Sequence, residues 1–250
     1  MSLNKELMQK KLDTLMNKGN EKSKDYLKLE EGDTTIRILP SPDGDPFKQF
    51  FFHYGIGEGS FLCPKRNGEG AKCAVCDFVH SLYQEGTDDS KKQAKDLRAK
   101  ERYFSNVIVR GKEAEGSKVF GYGKQLYEKL IKLVLNPEYD DITDVDNGID
   151  LMLSYTNASG ADFAKTECTP SRKNSPVLKD KKEVKKLLDG MKNIASLHTK
   201  KTSEEAKAIL DAHLQDPFSS GNVRQGSTST ETAISTNVDT ALAELTGVKG

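Results

Sequence analysis

Short apolar segments separated by turn residues occupy the middle of the chain. Residues 34–39 alternate apolar and polar side chains and stop at Pro40, "KQFFFHYGI" starts at residue 48, and "IDLMLSYTN" starts at residue 149. Residues 103–110 and 117–123 flank a short loop, which predicts a β-hairpin. A further segment, "ADFAKTECTPS", follows the turn "ASG". The pattern predicts five or six short strands between about residues 25 and 170.

Helical spacing of apolar residues occurs in four other segments. They are residues 2–16, residues 124–135 (closed by Asn136-Pro137), residues 180–197 and residues 203–214. These helices do not alternate regularly with the strands, which argues against a doubly wound parallel sheet. The sequence predicts a mainly β chain with inserted helices (α+β), and a small Greek-key barrel of the OB-fold type is the best fit for its core.

Composition divides the chain into three parts. Residues 217–250 are rich in Ser, Thr and Gly and contain too little apolar surface to offset the entropy of ordering. Residues 1–20 form a separate basic, helical arm, and "KGNEKSKD" reads as a linker. We therefore predict an arm at 1–20, a folded core at 21–216 and a mobile tail at 217–250.

The overall composition is that of a water-soluble chain. Of its 250 residues, 35% are hydrophobic and 30% are charged, and Trp is absent. No apolar run approaches the roughly 20 residues of a membrane span, and the N-terminus lacks the apolar core of a signal peptide. Four cysteines are too few for a secreted disulfide scaffold, so we expect an intracellular, reducing compartment.

Charge is segregated along the chain although the formal net charge is zero. Residues 88–112 hold eight Lys/Arg against four Asp/Glu, and residues 170–201 hold ten against three. Residues 138–150 carry six acids, but their spacing does not match an EF-hand loop, so we read them as a solvated loop. The basic segments create local positive fields that the total conceals.

Three of the four cysteines lie within fourteen residues of one another, at Cys63, Cys73 and Cys76. A Cys-x-x-Cys pair with a third thiol and an imidazole suits tetrahedral Zn²⁺ in a closed, structural site. A disulfide or a redox pair is the alternative, although no thioredoxin-like α/β pattern surrounds the pair. By spacing alone, His53 and His80 are equal candidates for the fourth ligand. The metal subdomain would span about residues 53–90, and the isolated Cys168 reads as a small buried apolar residue.

Aromatic and basic side chains are interleaved after the cysteine segment. In "ERYFSNVIV", adjacent aromatics point to opposite faces of a strand, so one ring can pack while its neighbour is exposed. Aromatic faces stack on unpaired bases and Lys/Arg contact phosphates, a mixture that suits sequence-tolerant binding of single strands. The candidate DNA-binding residues are Tyr83, Arg98, Lys100, Arg102, Tyr103, Phe104, Arg110, Tyr122, Lys124 and Phe163.

Motifs of catalysis are not found. "GIGEG" lacks the dinucleotide-binding spacing, "GYGK" lacks the rest of a phosphate loop, and no GxSxG or HExxH sequence occurs. A binding protein is therefore favoured over an enzyme. The alternative to a DNA-binding protein is a zinc-stabilised protein-interaction module with incidental nucleic-acid binding.

Several of these segments together resemble a known family. "DYLKLEEGDTTIRILPS", "PFKQFFFHYG", the His-x9-Cys-x9-Cys-x2-Cys set and "RYFSNVIVRGKEAEGSKVFGYGKQLYEKL" are similar to the single-stranded DNA-binding proteins of T-even-type phages. The resemblance runs from about residue 25 to 170 and more weakly to 215. It implies an OB-fold core, a structural zinc and DNA in a basic cleft without catalysis. It also implies that His53, and not His80, is the fourth ligand.

The resemblance further implies a biological role. Such a protein coats single-stranded DNA, cooperatively and with little sequence preference, during replication, recombination and repair in the cytoplasm of the infected bacterial host. Its partners would be DNA, other copies of itself and phage replication and recombination proteins. Two segments depart from the family pattern. The arm is basic but differently built, which assigns self-association to Lys5, Lys10 and Lys11, and the tail is only weakly charged.

Overall fold

The computed structural model describes residues 25–57, 59–68, 71–157, 164–198 and 200–215. The predicted arm at 1–20 and tail at 217–250 lie outside these residues, as does Phe163. The seven described strands are β1 (Gly32–Ile38), β2 (Lys48–Tyr54), β3 (Ser60–Leu62), β4 (Lys100–Val109), β5 (Lys118–Tyr122), β6 (Gly148–Thr156) and β7 (Lys165–Ser175). The five described helices are α1 (Ala74–Glu85), α2 (Asp88–Leu97), α3 (Lys124–Val134), α4 (Lys181–Asp189) and α5 (Ser203–Gln215).

The seven strands form one antiparallel sheet with β4 at its centre. Strands β1 and β2 lie end to end along one edge of β4, because β1 pairs with its C-terminal part and β2 with its N-terminal part. Strand β5 takes the other edge, so that Tyr103 pairs with both Gln49 and Tyr122. The order continues from β1 to β6 and β7, while β3 extends β2. This confirms a mixed α+β chain.

Local sequence patterns located most of these elements. The β4–β5 hairpin and helix α3 lie where alternation and helical periodicity predicted them. The segment predicted at 180–197 is not one helix: α4 ends at Asp189 with Gly190 as its C-cap, and a short 3-10 helix, Ile194–Ser196, follows. Helix α2 was not predicted, because only Ser90, Ala94 and Leu97 on it are buried and its other side chains are strongly polar. The Thr87 side chain caps α2 by accepting a hydrogen bond from the Ser90 amide.

The described chain has four hydrophobic clusters, and the two largest lie on different parts of the sheet. The larger packs α3 against β1, β4, β5 and β6, with Val107, Leu130 and Leu151 at its centre. The smaller lies beneath α1, α2 and α5, where Val75 and Ala94 are fully buried. Helix α5 comes from the far end of the described chain, yet it packs on α1. Residues 53–90 therefore contribute to a small second core, which is completed by residues far from them in sequence.

A buried arginine joins β1, an inner strand of the sheet, to the chain that precedes α4. The Arg37 side chain is fully buried and its Nη2 lies 2.8 Å from the Asp150 carboxylate. The same nitrogen donates to the Ser175 carbonyl (2.9 Å) and hydroxyl (2.8 Å). Arg110 also binds Asp150, at 2.8 Å, and donates to the carbonyls of Pro176 and Val177. Two guanidinium groups thus hold the segment after β7 in place. No described helix is long and apolar enough to cross a membrane.

Candidate metal centre and nucleic-acid interface

Four side chains from three parts of the chain meet at one point. His53 lies near the end of β2, Cys63 directly follows β3, Cys73 is the N-cap of α1, and Cys76 lies in its first turn. Pairing of β2 with β3 brings the first two together, since His53 is opposite Phe61. One ligand atom from each of the four residues lies within 4.8 Å of the others. The cluster can hold a metal ion.

The orientation of His53 suits metal binding. Its Nδ1 lies 2.9 Å from the Leu97 carbonyl, which can only accept a hydrogen bond, so Nδ1 carries the proton. Nε2 then faces the thiols, 3.4 Å from Cys73 Sγ and 3.6 Å from Cys76 Sγ, and it is the nitrogen whose lone pair could bind a metal once its proton is lost. His80 is exposed on α1 and interacts with Gln84. The structure thus brings His53, and not His80, to the three thiols, a choice that sequence spacing left open.

The charge balance of the cluster also favours a cation. Burial opposes a charged imidazole, but hydrogen bonds with Cys63 and Cys73 outweigh it and raise the pKa of His53 to about 9. Hydrogen bonds from Cys63 and Cys76 lower the pKa of the Cys73 thiol, while contact with Cys63 and Cys73 raises that of Cys76. Thiols this close cannot all ionise unless a positive charge is added. Metal binding would therefore release protons.

Asn67 attaches the Cys63 turn to the sheet. Its Oδ1 accepts a hydrogen bond from the Phe51 amide (2.9 Å), and its Nδ2 donates to the carbonyls of Phe51 (2.7 Å) and Cys63 (2.9 Å). The Cys63 amide also donates to the Phe51 carbonyl (2.9 Å). The side chain therefore acts like an added stretch of strand, and it fixes the backbone that carries one of the three thiols.

We expect Asn67→Ala to weaken metal binding by about 10- to 100-fold, as for other residues that orient ligands without touching the metal. Removing the amide leaves the Phe51 amide without its partner and frees the Cys63 backbone to move. Competition with a chromophoric chelator measures the affinity. Asn174→Ala, at an exposed position on β7, is the matched control and should retain the parent affinity. Equal affinity in the two variants would contradict a positioning role for Asn67.

Cys168 lies apart from the metal cluster. It is half-buried on β7 against the larger core, and burial raises the pKa of its thiol to about 11. A thiol held neutral in this way behaves as a small apolar side chain, as the sequence suggested.

A cleft of about 690 Å³ opens where the start of α3 and the end of β5 approach the β6–β7 hairpin. Three of the predicted DNA-binding residues line it: Arg102, Tyr122 and Lys124. Arg102 Nη2 lies 3.4 Å from the Gly121 carbonyl. Lys124 is well exposed, and its two ion-pair contacts, to Glu101 and Glu128, are both long at 3.9 Å. Exposed pairs of this kind are weak, so Lys124 is available to an anionic ligand.

The first turn of α3 adds to the positive character of the cleft. Gly123 is its N-cap and has no side chain to satisfy the free amide groups, and residues 124–126 all line the cleft. A helix N-terminus carries a partial positive charge. Both side chains and backbone of this cleft therefore favour an anion.

The sequence model of the gp32 DNA binding protein like family matches residues 30–216. The chain belongs to this family of DNA-binding proteins. The match covers all seven described strands, the metal cluster and the lining of the cleft apart from Leu27 and Leu29. No curated protein sequence matches the chain.

Three predicted stacking residues of this gp32-like protein are buried. The exposed fraction is 4% for Tyr103, 7% for Phe104 and 4% for Tyr122. Tyr103 stacks on Tyr127 with ring centroids 3.8 Å apart, and burial raises the pKa of its hydroxyl to about 12. Phe104 packs edge-on against Phe50. Strand β4 is covered on both faces, so neighbouring aromatics are both inside and neither has a ring face free for a base.

The other predicted residues are dispersed. Arg110 is committed to Asp150 and to two carbonyls, so it stabilises the fold and does not line the cleft. Arg98 and Lys100 are exposed around the start of β4, and Tyr83 is 43% exposed on α1, but none of the three lines the cleft. The predictions at Phe163, Lys5, Lys10 and Lys11 lie outside the described residues.

Sequence reasoning missed a ring that does line the cleft. Tyr155 is half-buried near the end of β6 and faces the cleft together with Thr166 of β7. It continues the buried alternation of Leu151 and Leu153, at the point where that face emerges from the core. An aromatic residue at the end of an alternating apolar strand is a signal that could have identified it.

Proposed function

We propose that this protein binds single-stranded DNA with little sequence preference and coats it cooperatively. The role would lie in phage DNA replication, recombination and repair, in the cytoplasm of the infected bacterial host. The observation that carries the proposal is the cleft in which Arg102, Lys124 and the first turn of α3 present positive charge around an open space. Membership of a DNA-binding family supports it.

The cleft suits an unpaired strand. Arg102 and Lys124 would contact phosphates, whose charge dominates the affinity of sequence-independent binding. Tyr155 would offer a ring for a base to stack on, a contact that every base can make. Paired bases cannot offer their faces to such a ring, so duplex DNA would be disfavoured.

A structural zinc ion is the metal that the donor set fits. Zinc takes thiolate sulfur at about 2.3 Å and imidazole nitrogen at about 2.0 Å, so tetrahedral geometry separates two sulfurs by about 3.8 Å and sulfur from nitrogen by about 3.5 Å. Three of the six corresponding distances are 3.5 Å for Cys63–Cys76, 3.4 Å for His53–Cys73 and 3.6 Å for His53–Cys76, and all six are within 4.8 Å. Four protein ligands would leave no open position, so the ion would stabilise the subdomain and take no part in a reaction.

The remaining parts of the proposal concern domain roles. The antiparallel sheet would be an OB-fold core spanning residues 21–216, with the zinc subdomain inserted at about 53–90. The arm at 1–20 would bind a neighbouring copy through Lys5, Lys10 and Lys11. The tail at 217–250 would recruit replication and recombination proteins. Cooperative coating follows if the arm of one copy binds the next copy along the strand.

A salt titration of oligo-dT binding tests the proposal. We expect the logarithm of affinity to fall with the logarithm of salt concentration by about 0.7 for each phosphate contact. The variant R102Q/K124Q should therefore bind more weakly, with a slope reduced by about 1.4. The control K92Q/K207Q changes net charge equally at exposed positions outside the cleft.

Two results would argue against this function. Absent or salt-insensitive binding by the parent protein would favour the protein-interaction module instead. An unchanged slope in R102Q/K124Q would place the DNA elsewhere on the molecule.

A further inference from the structure

A second basic surface lies outside the cleft, on the end of β7 and on α4. We call it the 172–186 surface. It consists of seven exposed cations: Arg172, Lys173, Lys179, Lys181, Lys182, Lys185 and Lys186. The same span contains only two acids, and the side chain of one of them, Asp180, caps α4 by accepting from the Lys182 amide (2.8 Å). Within the described chain, none of the seven cations forms an ion pair.

The first two cations project from a bulge. Ile149 pairs with Asn174 and Leu151 pairs with Pro170, so a step of two residues on β6 corresponds to four on β7. Residues 171–173 of β7 therefore have no one-to-one pairing partners on β6, and Arg172 and Lys173 among them are exposed. Strand β7 ends the described sheet, so its outer edge has no neighbouring strand. Bulges at sheet edges commonly re-aim side chains toward a function.

The four lysines of α4 share its outward side. Leu187 is buried against Leu39 and Ile108, which fixes the inward side of the helix. Lysines at 181 and 185, and at 182 and 186, are four residues apart, and like charges at this spacing destabilise a helix. Glu183 and Asp189 lie on the same helix but form no ion pair with these lysines, so the lysine charges are available to a bound polyanion, which would relieve the repulsion.

The surface is held rigidly relative to the sheet. Arg37 and Arg110 bind the backbone of Ser175, Pro176 and Val177, between the bulge and α4. Val177 is fully buried, and its amide donates to the Val145 carbonyl (2.8 Å). The backbone that carries these cations therefore needs little further ordering when a ligand binds.

We propose that the 172–186 surface binds a second stretch of the phosphate backbone of the same single strand that enters the cleft. The inference rests on the proposed function. Strand β7 connects the two places, because Ala164 and Thr166 line the cleft and the bulge begins a few residues later. At about 3.3 Å per residue, the six residues from Thr166 to Arg172 span about 20 Å. A strand leaving the cleft along β7 reaches the 172–186 surface.

Protection of an open sheet edge would explain some of these residues. Exposed cations and bulges on edge strands discourage pairing with another chain. That role accounts for Arg172 and Lys173 on β7. It does not account for four lysines on a helix, which presents no unpaired strand.

The test compares short and long DNA. Oligo-dT of about 6 nucleotides occupies little more than the cleft, whereas about 24 nucleotides exceeds the range of site sizes for one OB fold. We expect K181Q/K182Q/K185Q/K186Q to bind the short oligonucleotide like the parent protein. Its affinity for the long one should fall at least tenfold, with a salt slope smaller by about 0.7 per lost contact. Metal content and the melting temperature check that the variant is folded.

The matched control is K91Q/K92Q/K95Q/K207Q, which removes four exposed lysines from α2 and α5. It should leave the preference of the long over the short oligonucleotide unchanged. Unchanged binding of the long oligonucleotide by the α4 variant would overturn the inference, as would an equal loss for both lengths. If the proposed function itself were wrong, the result would differ, because R102Q/K124Q would then change the binding of neither the short nor the long oligonucleotide.

Discussion

Cys73→Ser should abolish stoichiometric metal binding and lower the melting temperature more than any other single change considered. Cys73 is fully buried, begins α1 and lies 3.4 Å from His53 Nε2. The core beneath α1, α2 and α5 is small, and the loops that carry Cys63 and Cys73 have little apolar surface of their own. Metal binding contributes about 10–16 kcal/mol in small structural sites, and that free energy is available only to the folded state.

Elemental analysis of the purified protein and a thermal melt with and without chelator provide the measurement. Cys168→Ser is the control, because this half-buried thiol on β7 is not part of the cluster, and one metal ion per chain should remain bound. A Cys73→Ser protein that melts like the parent, or a chelator without effect on the parent, would contradict a structural role for the metal.

Arg37→Met should destabilise the protein by about 1–3 kcal/mol, the usual cost of leaving buried polar groups without their hydrogen-bond partners, since Asp150 keeps its ion pair with Arg110. The substitution keeps most of the volume but removes donors to Asp150 and to the Ser175 carbonyl and hydroxyl. The close approach of Arg37 to Gly148, where an added Cβ would lie 2.8 Å from Nη1, shows how tightly the site is packed. Urea unfolding followed by far-UV circular dichroism gives the free energy.

Lys65→Met is the control for this substitution. The pair of Lys65 with Asp77 is exposed at both ends and 3.4 Å long, so its loss should shift the urea midpoint little. If both variants unfolded at the same urea concentration as the parent, the Arg37 network would not be a stabilising element.

Sequence spacing predicts part of the metal cluster but not all of it. The three thiols are close in sequence, so their grouping follows from the chain itself. The fourth ligand does not follow in this way, because one histidine, His53, precedes the thiols and another, His80, follows them, and the spacing of either is compatible with a metal site. The choice depends on β2 pairing with β3 and on the Leu97 carbonyl, which comes from the end of α2 and orients the His53 ring. Asn67 likewise acquires its role only when its turn folds back on Phe51.

The burial of the predicted stacking residues is a property that local patterns leave open. Period-two alternation separates Tyr103 from Phe104 but does not say whether either face of β4 is covered. In the structure both are, by α3 on one side and by residues around Ile194 and His198 on the other. The sequence likewise shows Arg110 only as a cation. Its structural role comes from its hydrogen bond to Asp150, which is forty positions away in the chain.

By itself, the sequence determined the strands of the β4–β5 hairpin, helix α3, the thiol cluster and the family to which the chain belongs, because each depends on residues close together or on a long continuous match. Only the tertiary structure decided which histidine meets the thiols, which aromatics are buried, and which cations stay free around the cleft and on α4. All three outcomes depend on contacts between residues that are distant in sequence. Such contacts determine whether a side chain is buried, and burial determines whether it packs in the core or can bind a ligand.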